Sequence, residues 1–194
     1  MAIQSYSDLI AAIDSYTVSA GAPGDLCVML AEEALRPLLK HYRMEQKVSQ
    51  IVPGGTSPTL PDDFQEARAF LIDGKRPRPL SFQNSNFDGS HLGYVLTGTT
   101  LELRPVPTED YQFDLYYYQR LPSLSPTNTT NWLLTYFPTV YLRASLAQAY
   151  HWLKDAAAEQ AEKDLTSDAL SAVVRDHMRA TVHGNTLIEE LPSW

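Results

Sequence analysis

The sequence has too few cysteines for a disulfide bond or a cysteine-ligated metal site, and it has no long apolar segment of the kind that spans a membrane. Cys27 is the only cysteine among 194 residues, so an intramolecular disulfide is impossible and a cysteine-based metal site is not expected. Because Cys27 lies in an apolar stretch with helical periodicity, we expect it to be a small buried side chain. No segment carries the roughly 18 uninterrupted apolar residues of a membrane-spanning helix, and no basic region followed by an apolar run opens the chain. We therefore expect a protein that is neither secreted nor inserted in a membrane.

Positive charge is also scarce. Lys and Arg number 15 against 23 Asp and Glu, which gives a net charge of -8 at pH 7. From Asp155 to the C-terminus, eight acidic residues stand against three basic ones, a net charge of -5. Affinity for nucleic acid comes mainly from cationic groups that neutralise phosphates, so specific DNA binding is not expected.

Recognisable catalytic motifs are missing as well. The histidines show no HExxH spacing, and the sequence has no GxxxxGK phosphate loop and no GxSxG elbow. We expect His151 to be a hydrogen-bonded residue in the interior or at its boundary. The pairs Asp62-Asp63 and Glu109-Asp110 could supply a general acid and base, but positions in turns explain them better. The residues predict no enzyme, no metal and no cofactor.

Helices are predicted at the N-terminal end of the chain. Ser5 and Asp8 have the spacing of a capping box, which opens a short helix. A second amphipathic helix begins at about Asp25, with apolar residues three and four positions apart. Pro37 falls inside this pattern and predicts a kink or a break.

The C-terminal end is also predicted to be helical. Pro138 is suited to the first position of a helix whose apolar stripe includes Leu142 and Leu146. A last helix is expected from about Ala161, and Gly184 is expected to end it.

The middle of the chain is rich in proline and glycine and alternates in the manner of β-strands. Gly98 and Thr99 suit the two-residue loop of a hairpin that runs from Leu92 to Arg104. Alternate residues from Tyr111 to Tyr118 share a face, which predicts a half-buried strand. We expect this strand to pair with the hairpin.

Together these patterns predict an α+β fold. Helices from both ends form a bundle, and a small antiparallel β module is inserted between them. The expected divisions are residues 1–52 and 120–183 for the helical core, 53–119 for the β-rich module and 184–194 for an extended C-terminal tail.

Two groups of residues are candidates for interaction surfaces. Lys75, Arg76 and Arg78 form a basic cluster, which is either a solvated loop or a contact for an acidic neighbour. Tyr116 and Tyr118 belong to an aromatic group that exceeds what one face of a strand can bury. Core packing and a protein interface both remain open for these aromatic residues.

Several segments, taken in order, resemble the adaptor proteins of tailed bacteriophages and prophages, also called head-to-tail connectors. They are LAEEAL at 30–35, LPDDF at 60–64, LYYY at 115–118, LPSLS at 121–125, TNWLL at 130–134 and FPTVYL at 137–142. The resemblance rests on the order and spacing of these segments, because no single one is diagnostic.

This resemblance implies a structural virion protein. In such a family the protomer joins other copies of itself, about twelve, in a ring that docks under the portal protein. The ring extends the DNA channel, through which DNA passes without specific binding, and offers a platform to tail or nozzle proteins. The protein would then be found in the neck between capsid and tail, and in the host cytoplasm during assembly.

The resemblance also suggests roles for particular residues. It places the C-terminal region on the portal, and the four large apolar residues there are candidates for portal binding: Leu187, Ile188, Leu191 and Trp194. A segment this short cannot bury them on itself, so it either docks on a partner or folds back on its own bundle. Candidates for an inter-subunit or tail interface are Tyr116, Tyr118, Arg76 and Arg78.

Two alternatives remain. One is a small virion-associated cell-wall hydrolase that uses Asp62, Asp63 or Glu109. The other is a tail terminator or neck protein at a different position in the virion.

Overall fold

The computed structural model describes residues 3–18, 21–80 and 92–186, with side chains as far as residue 182, and shows the expected α+β fold. The chain divides into two compact units. The helical unit comprises residues 1–43 and the chain from 121 onward, and the β unit comprises residues 44–120.

The described part of the helical unit contains five α-helices. They are α1 (Tyr6–Tyr16), α2 (Gly24–Leu35), α3 (Trp132–Tyr136), α4 (Pro138–Trp152) and α5 (Ala156–Thr186). Short 3₁₀ turns follow α2 at Arg36–Leu38 and Tyr42–Met44.

The N-terminal helices begin and end where local chemistry requires it. The Asp8 amide donates to the Ser5 hydroxyl at 3.2 Å and the Ser5 amide donates to the Asp8 carboxylate at 3.1 Å, so the predicted capping box is confirmed. Helix α2 ends at Leu35 and the chain continues as a 3₁₀ turn that contains Pro37, which confirms the predicted break.

Helix α4 is the centre of the helical unit. Pro138 is its first residue, as predicted, and the helix packs against α1, α2, α3 and α5. Its buried positions lie on nearly every side, as expected for a helix surrounded by others. They are Val140, Tyr141, Leu142, Ala144, Ser145, Leu146, Ala147 and Ala149.

Helix α5 differs from its prediction at both ends. It begins at Ala156, because the Asp155 carboxylate accepts a hydrogen bond from the Ala158 amide at 3.1 Å and caps the first turn. The prediction that Gly184 ends the helix is wrong, since α5 continues through Gly184 to Thr186. A glycine inside a helix costs only about 1 kcal/mol relative to alanine, so it does not by itself stop one.

In the β unit, the described residues 44–80 and 92–120 form six strands. They are β1 (Glu45–Val52), β2 (Phe64–Ile72), β3 (Arg78–Pro79), β4 (Gly93–Thr97), β5 (Thr100–Arg104) and β6 (Tyr111–Gln119). One sheet has the order β1-β6-β2 and is antiparallel, and the other has the order β3-β4-β5. Strand β1 lies within the range 1–52, for which the sequence predicted helical structure, so that part of the prediction is wrong.

The predicted hairpin is present, but it does not pair with β6 as predicted. Strands β4 and β5 pair across Gly98, whose φ of 60° suits the two-residue loop. Strand β6 pairs with β1 and β2 and not with the hairpin, so the predicted pairing is wrong. The two sheets instead share one apolar core, in which Leu101 and Leu103 of β5 join Phe113 and Leu115 of β6.

Candidate functional site

The paired carboxylates that could have served an enzyme act as turn residues. Asp62 and Asp63 form a turn before β2, and Asp63 accepts a hydrogen bond from the Tyr117 hydroxyl at 2.9 Å. Burial, and then Asp63 itself, raises the pKa of Tyr117 to about 12. Asp110 accepts from the Gly54 amide at 3.1 Å, while Glu109 lies in the same loop. Within the described residues, no group of three histidine, cysteine, aspartate or glutamate side chains could hold a metal ion.

A buried polar network joins distant parts of the helical unit. The Glu32 carboxylate, on α2, accepts hydrogen bonds from the Leu124 amide at 2.8 Å and from the Tyr141 hydroxyl at 2.9 Å. The Asn131 amide group donates to the Tyr141 oxygen at 2.6 Å and to the Pro122 carbonyl at 2.8 Å. Burial, and then the Glu32 charge, raises the pKa of Tyr141.

This network connects four of the segments that carry the family resemblance. Glu32 comes from LAEEAL, Leu124 from LPSLS, Asn131 from TNWLL and Tyr141 from FPTVYL. The network attaches the loop that precedes α3 to the helical unit, which is a structural role. Sequence reasoning did not single out Glu32, although a signal existed, because Glu32 falls on the same helical stripe as the buried Val28 and Leu35.

A second cluster forms around a fully buried histidine. His41 Nε2 lies 3.1 Å from an Asp176 oxygen, and the Arg43 amide donates to His41 Nδ1 at 3.3 Å. Since Nδ1 accepts, Nε2 carries the proton. The His41 ring stacks on Trp132 with 4.7 Å between ring centroids. Burial, and then the charge of Arg43, lowers the pKa of His41.

The prediction that His151 lies in the interior or at its boundary is wrong. Its side chain is 71% exposed, although it does pair with Glu159 at 3.0 Å. His41 occupies the interior instead. Its partner Asp176 is 135 positions away in the sequence, so no local pattern identifies it.

The outer face of the β1-β6-β2 sheet carries the two candidate tyrosines. Tyr116 and Tyr118 are half-buried, whereas Tyr117 between them is buried on the opposite face. Lys47 Nζ lies 5.2 Å from the centre of the Tyr116 ring, and the Tyr118 hydroxyl lies 3.4 Å from a Glu45 oxygen. The predicted division of β6 into two faces is confirmed.

The predicted basic cluster lies at the surface of the β unit. Lys75, Arg76 and Arg78 are all exposed, while Pro77 among them is buried. The structure thus brings Arg76 and Arg78 together in one short segment, and places Tyr116 and Tyr118 on a sheet face in the same unit. The predicted portal-binding residues Leu187, Ile188, Leu191 and Trp194 lie outside the described residues.

Two comparisons complete this description. The family model described as "SU10 adaptor protein" matches residues 4–186, which includes both compact units. No curated protein matches the chain. In the described part of the chain, no helix combines the length and the apolar character required to cross a membrane.

Proposed function

This chain belongs to the SU10 adaptor protein family, a family of phage head-to-tail adaptors, and on that premise we propose that it forms the ring between portal and tail. In this proposal about twelve copies assemble under the portal protein with closed rotational symmetry. The ring extends the DNA channel and provides the platform on which tail or nozzle proteins attach. The protein acts in the neck of the virion and is assembled in the host cytoplasm.

The observation that carries this proposal is the extent of the family match. It covers residues 4–186 and therefore both the helical unit and the β unit. The segments that converge on Glu32 and Tyr141 lie within the matched range, so the match includes the interactions that hold the helical unit together.

The chemistry of the described residues supports a role in assembly and not in catalysis. Asp63 and Asp110 are engaged in turns, and the buried Glu32 is occupied by two hydrogen-bond donors. The net charge of -8 suits a DNA conduit, because acidic walls do not retain a polyanion that must slide past them.

Electron microscopy with the portal protein tests the proposal. The purified chain, mixed with portal rings of the same phage, should produce portal particles with an additional ring of density at the tail-facing end. The number of copies is then read from the symmetry of the averaged images. Particles that bind only to the end of tail tubes would support a tail terminator instead.

The hydrolase alternative is tested separately with a peptidoglycan zymogram. We expect no clearing by the wild-type chain, and the same result for the variant D62N/D63N. Clearing that this double substitution abolishes would contradict the adaptor proposal.

A further inference from the structure

We propose that the basic cluster of one copy, formed by Lys75, Arg76 and Arg78, binds an acidic face on α5 of the next copy, formed by Asp164 and Asp168. The inference rests on the proposed ring. It adds a specific contact between copies, in which two different surfaces meet. Such heterologous contacts are the kind that repeat around a closed ring.

The basic cluster is held rigidly by its backbone. The tight turn at Asp73 and Gly74 is closed by two hydrogen bonds between Ile72 and Lys75, at 2.8 and 2.9 Å. The Arg78 amide donates to the Leu92 carbonyl at 2.9 Å, which fixes the following short strand. A preorganised segment loses little conformational entropy when it binds a partner.

The cations of this cluster have no carboxylate partner in the described part of the chain. Lys75, Arg76 and Arg78 line a groove of about 570 Å³, in which Asp73 is the acidic neighbour. The Asp73 carboxylate accepts a hydrogen bond from the Gln112 amide at 2.9 Å and so serves the turn. The Arg76 guanidinium makes a long contact, 3.5 Å, to the Arg68 carbonyl. The cluster therefore presents positive charge to the surroundings of the molecule.

The acidic face of α5 is the complementary surface. Asp164 and Asp168 are exposed and lie four residues apart, on the same side of the helix. Among the described residues no cation reaches either carboxylate, and Asp164 receives only the Gln160 amide group at 2.9 Å. The adjacent Lys163 binds Glu159 instead, at 2.6 Å.

Within the described residues, the charges of these two aspartates are not compensated by a cation. Like charges four residues apart destabilise a helix. Both aspartates lie beyond the first turn of α5, so the helix dipole does not compensate their charge. A cationic surface of another copy would compensate it.

Charge complementarity also addresses a problem of assembly. Copies that each carry a net charge of -8 repel one another as they approach. A positive patch that meets a negative patch accelerates encounter and fixes orientation. A second copy of this chain supplies the acidic patch in each interface, since every copy carries both surfaces.

A charge-exchange experiment tests the contact. Variant one is R76E/R78E, and variant two is D164K/D168K. Each is mixed with portal rings of the same phage, and the fraction of chain assembled on the portal is measured by sedimentation and electron microscopy. We expect at least a roughly tenfold loss of assembly for either variant alone, because like charges then face each other across the interface.

Mixing the two variants should restore assembly, since the acidified patch of variant one fits the basic α5 face of variant two. The variant R175E/R179E is the matched control, because it changes the net charge as much as R76E/R78E does and uses an exposed pair on the same helix. It should assemble as the wild type does. All variants should keep the wild-type melting temperature, because the substituted residues are exposed.

Three outcomes would overturn the inference. Assembly of both variants at the wild-type level would show that the contact does not exist while leaving the adaptor ring intact. A loss in variant one that variant two does not rescue would assign the cluster to DNA or to an acidic portal or tail protein. Failure of the wild-type chain to assemble on the portal would contradict the proposed function itself.

Discussion

At the scale of single residues, the buried Glu32 carboxylate depends on its partners. A charged group removed from water is tolerated only when hydrogen bonds replace its hydration. Here the donors are the Leu124 amide and the Tyr141 hydroxyl. Loss of one donor leaves the carboxylate less well solvated, which is more costly than the net value of the bond itself.

The substitution Tyr141→Phe tests this network. It should lower the free energy of unfolding by about 1–3 kcal/mol, because it removes a donor to Glu32 and an acceptor of Asn131. Urea denaturation provides the measurement. The matched control is Tyr150→Phe, whose hydroxyl makes a contact of 3.4 Å at the surface and should cost little. Equal effects of the two substitutions would show that the network does not stabilise the helical unit.

His41 predicts a particular dependence of stability on pH. Burial, then Arg43, lowers its pKa, while Asp176 acts in the opposite direction and His177 also lowers it. The unfolded chain, with a histidine pKa near 6.5, then binds more protons than the folded chain. The contribution of His41 to the free energy of unfolding is therefore fully present above about pH 6.5, and it is lost as the pH falls below that value.

The substitution His41→Gln should flatten this profile. Between pH 7 and 5.5 the wild-type free energy of unfolding should fall, with a slope of at most about 1.4 kcal/mol per pH unit from this one group. The variant should show a smaller slope even if its stability is lower overall. A steep profile in the His41 variant would assign the effect to other groups.

At the scale of elements, β6 presents two faces with different roles. One face lies in the core shared by both sheets, and includes Phe113, Leu115 and Tyr117. The other face carries Tyr116 and Tyr118, which contact Lys47 and Glu45 of the neighbouring strand β1. We propose that this second face makes lateral or tail-side contacts, since large aromatic groups at a surface are typical of protein interfaces.

The substitutions Tyr116→Glu and Tyr117→Glu distinguish these faces. Tyr116→Glu should leave the circular dichroism spectrum unchanged and impair ring formation on the portal. Tyr117→Glu is its neighbour on the same strand but places a charge in the core, and it should unfold the β unit. If Tyr116→Glu also unfolds the protein, the tyrosine serves the core and the interface proposal is wrong.

At the scale of the whole molecule, the C-terminal residues 187–194 follow helix α5 in the sequence. Because α5 continues to Thr186, a truncation that removes only the following residues leaves the described helix intact. We propose that in the intact protein residues 187–194 dock on the portal, with Leu191 and Trp194 as anchors. Large apolar side chains at the centre of an interface carry most of its binding energy.

Truncation after Thr186 should therefore leave the melting temperature unchanged and abolish portal binding in a pull-down. The full-length double variant L191A/W194A serves as a milder version and should weaken binding without removing the chain. A clear drop in melting temperature with portal binding retained would show instead that the segment folds back on its own bundle.

Much of the fold follows from local sequence. The capping box at Ser5, the break at Pro37, the start of α4 at Pro138 and the hairpin turn at Gly98 each depend on residues within one turn of the position they determine. Alternation along β6 likewise assigned its two faces. The sequence by itself therefore determined the α+β class and most of the elements.

Only the tertiary structure decided which elements meet. It placed β6 between β1 and β2 and not beside the hairpin, because strand pairing depends on contacts between residues far apart in the chain. It also joined Glu32 to Tyr141 and His41 to Asp176, across 109 and 135 positions. Local periodicity carries no information about such pairs, since burial and hydrogen bonding at each member are set by a partner that only the folded chain brings near.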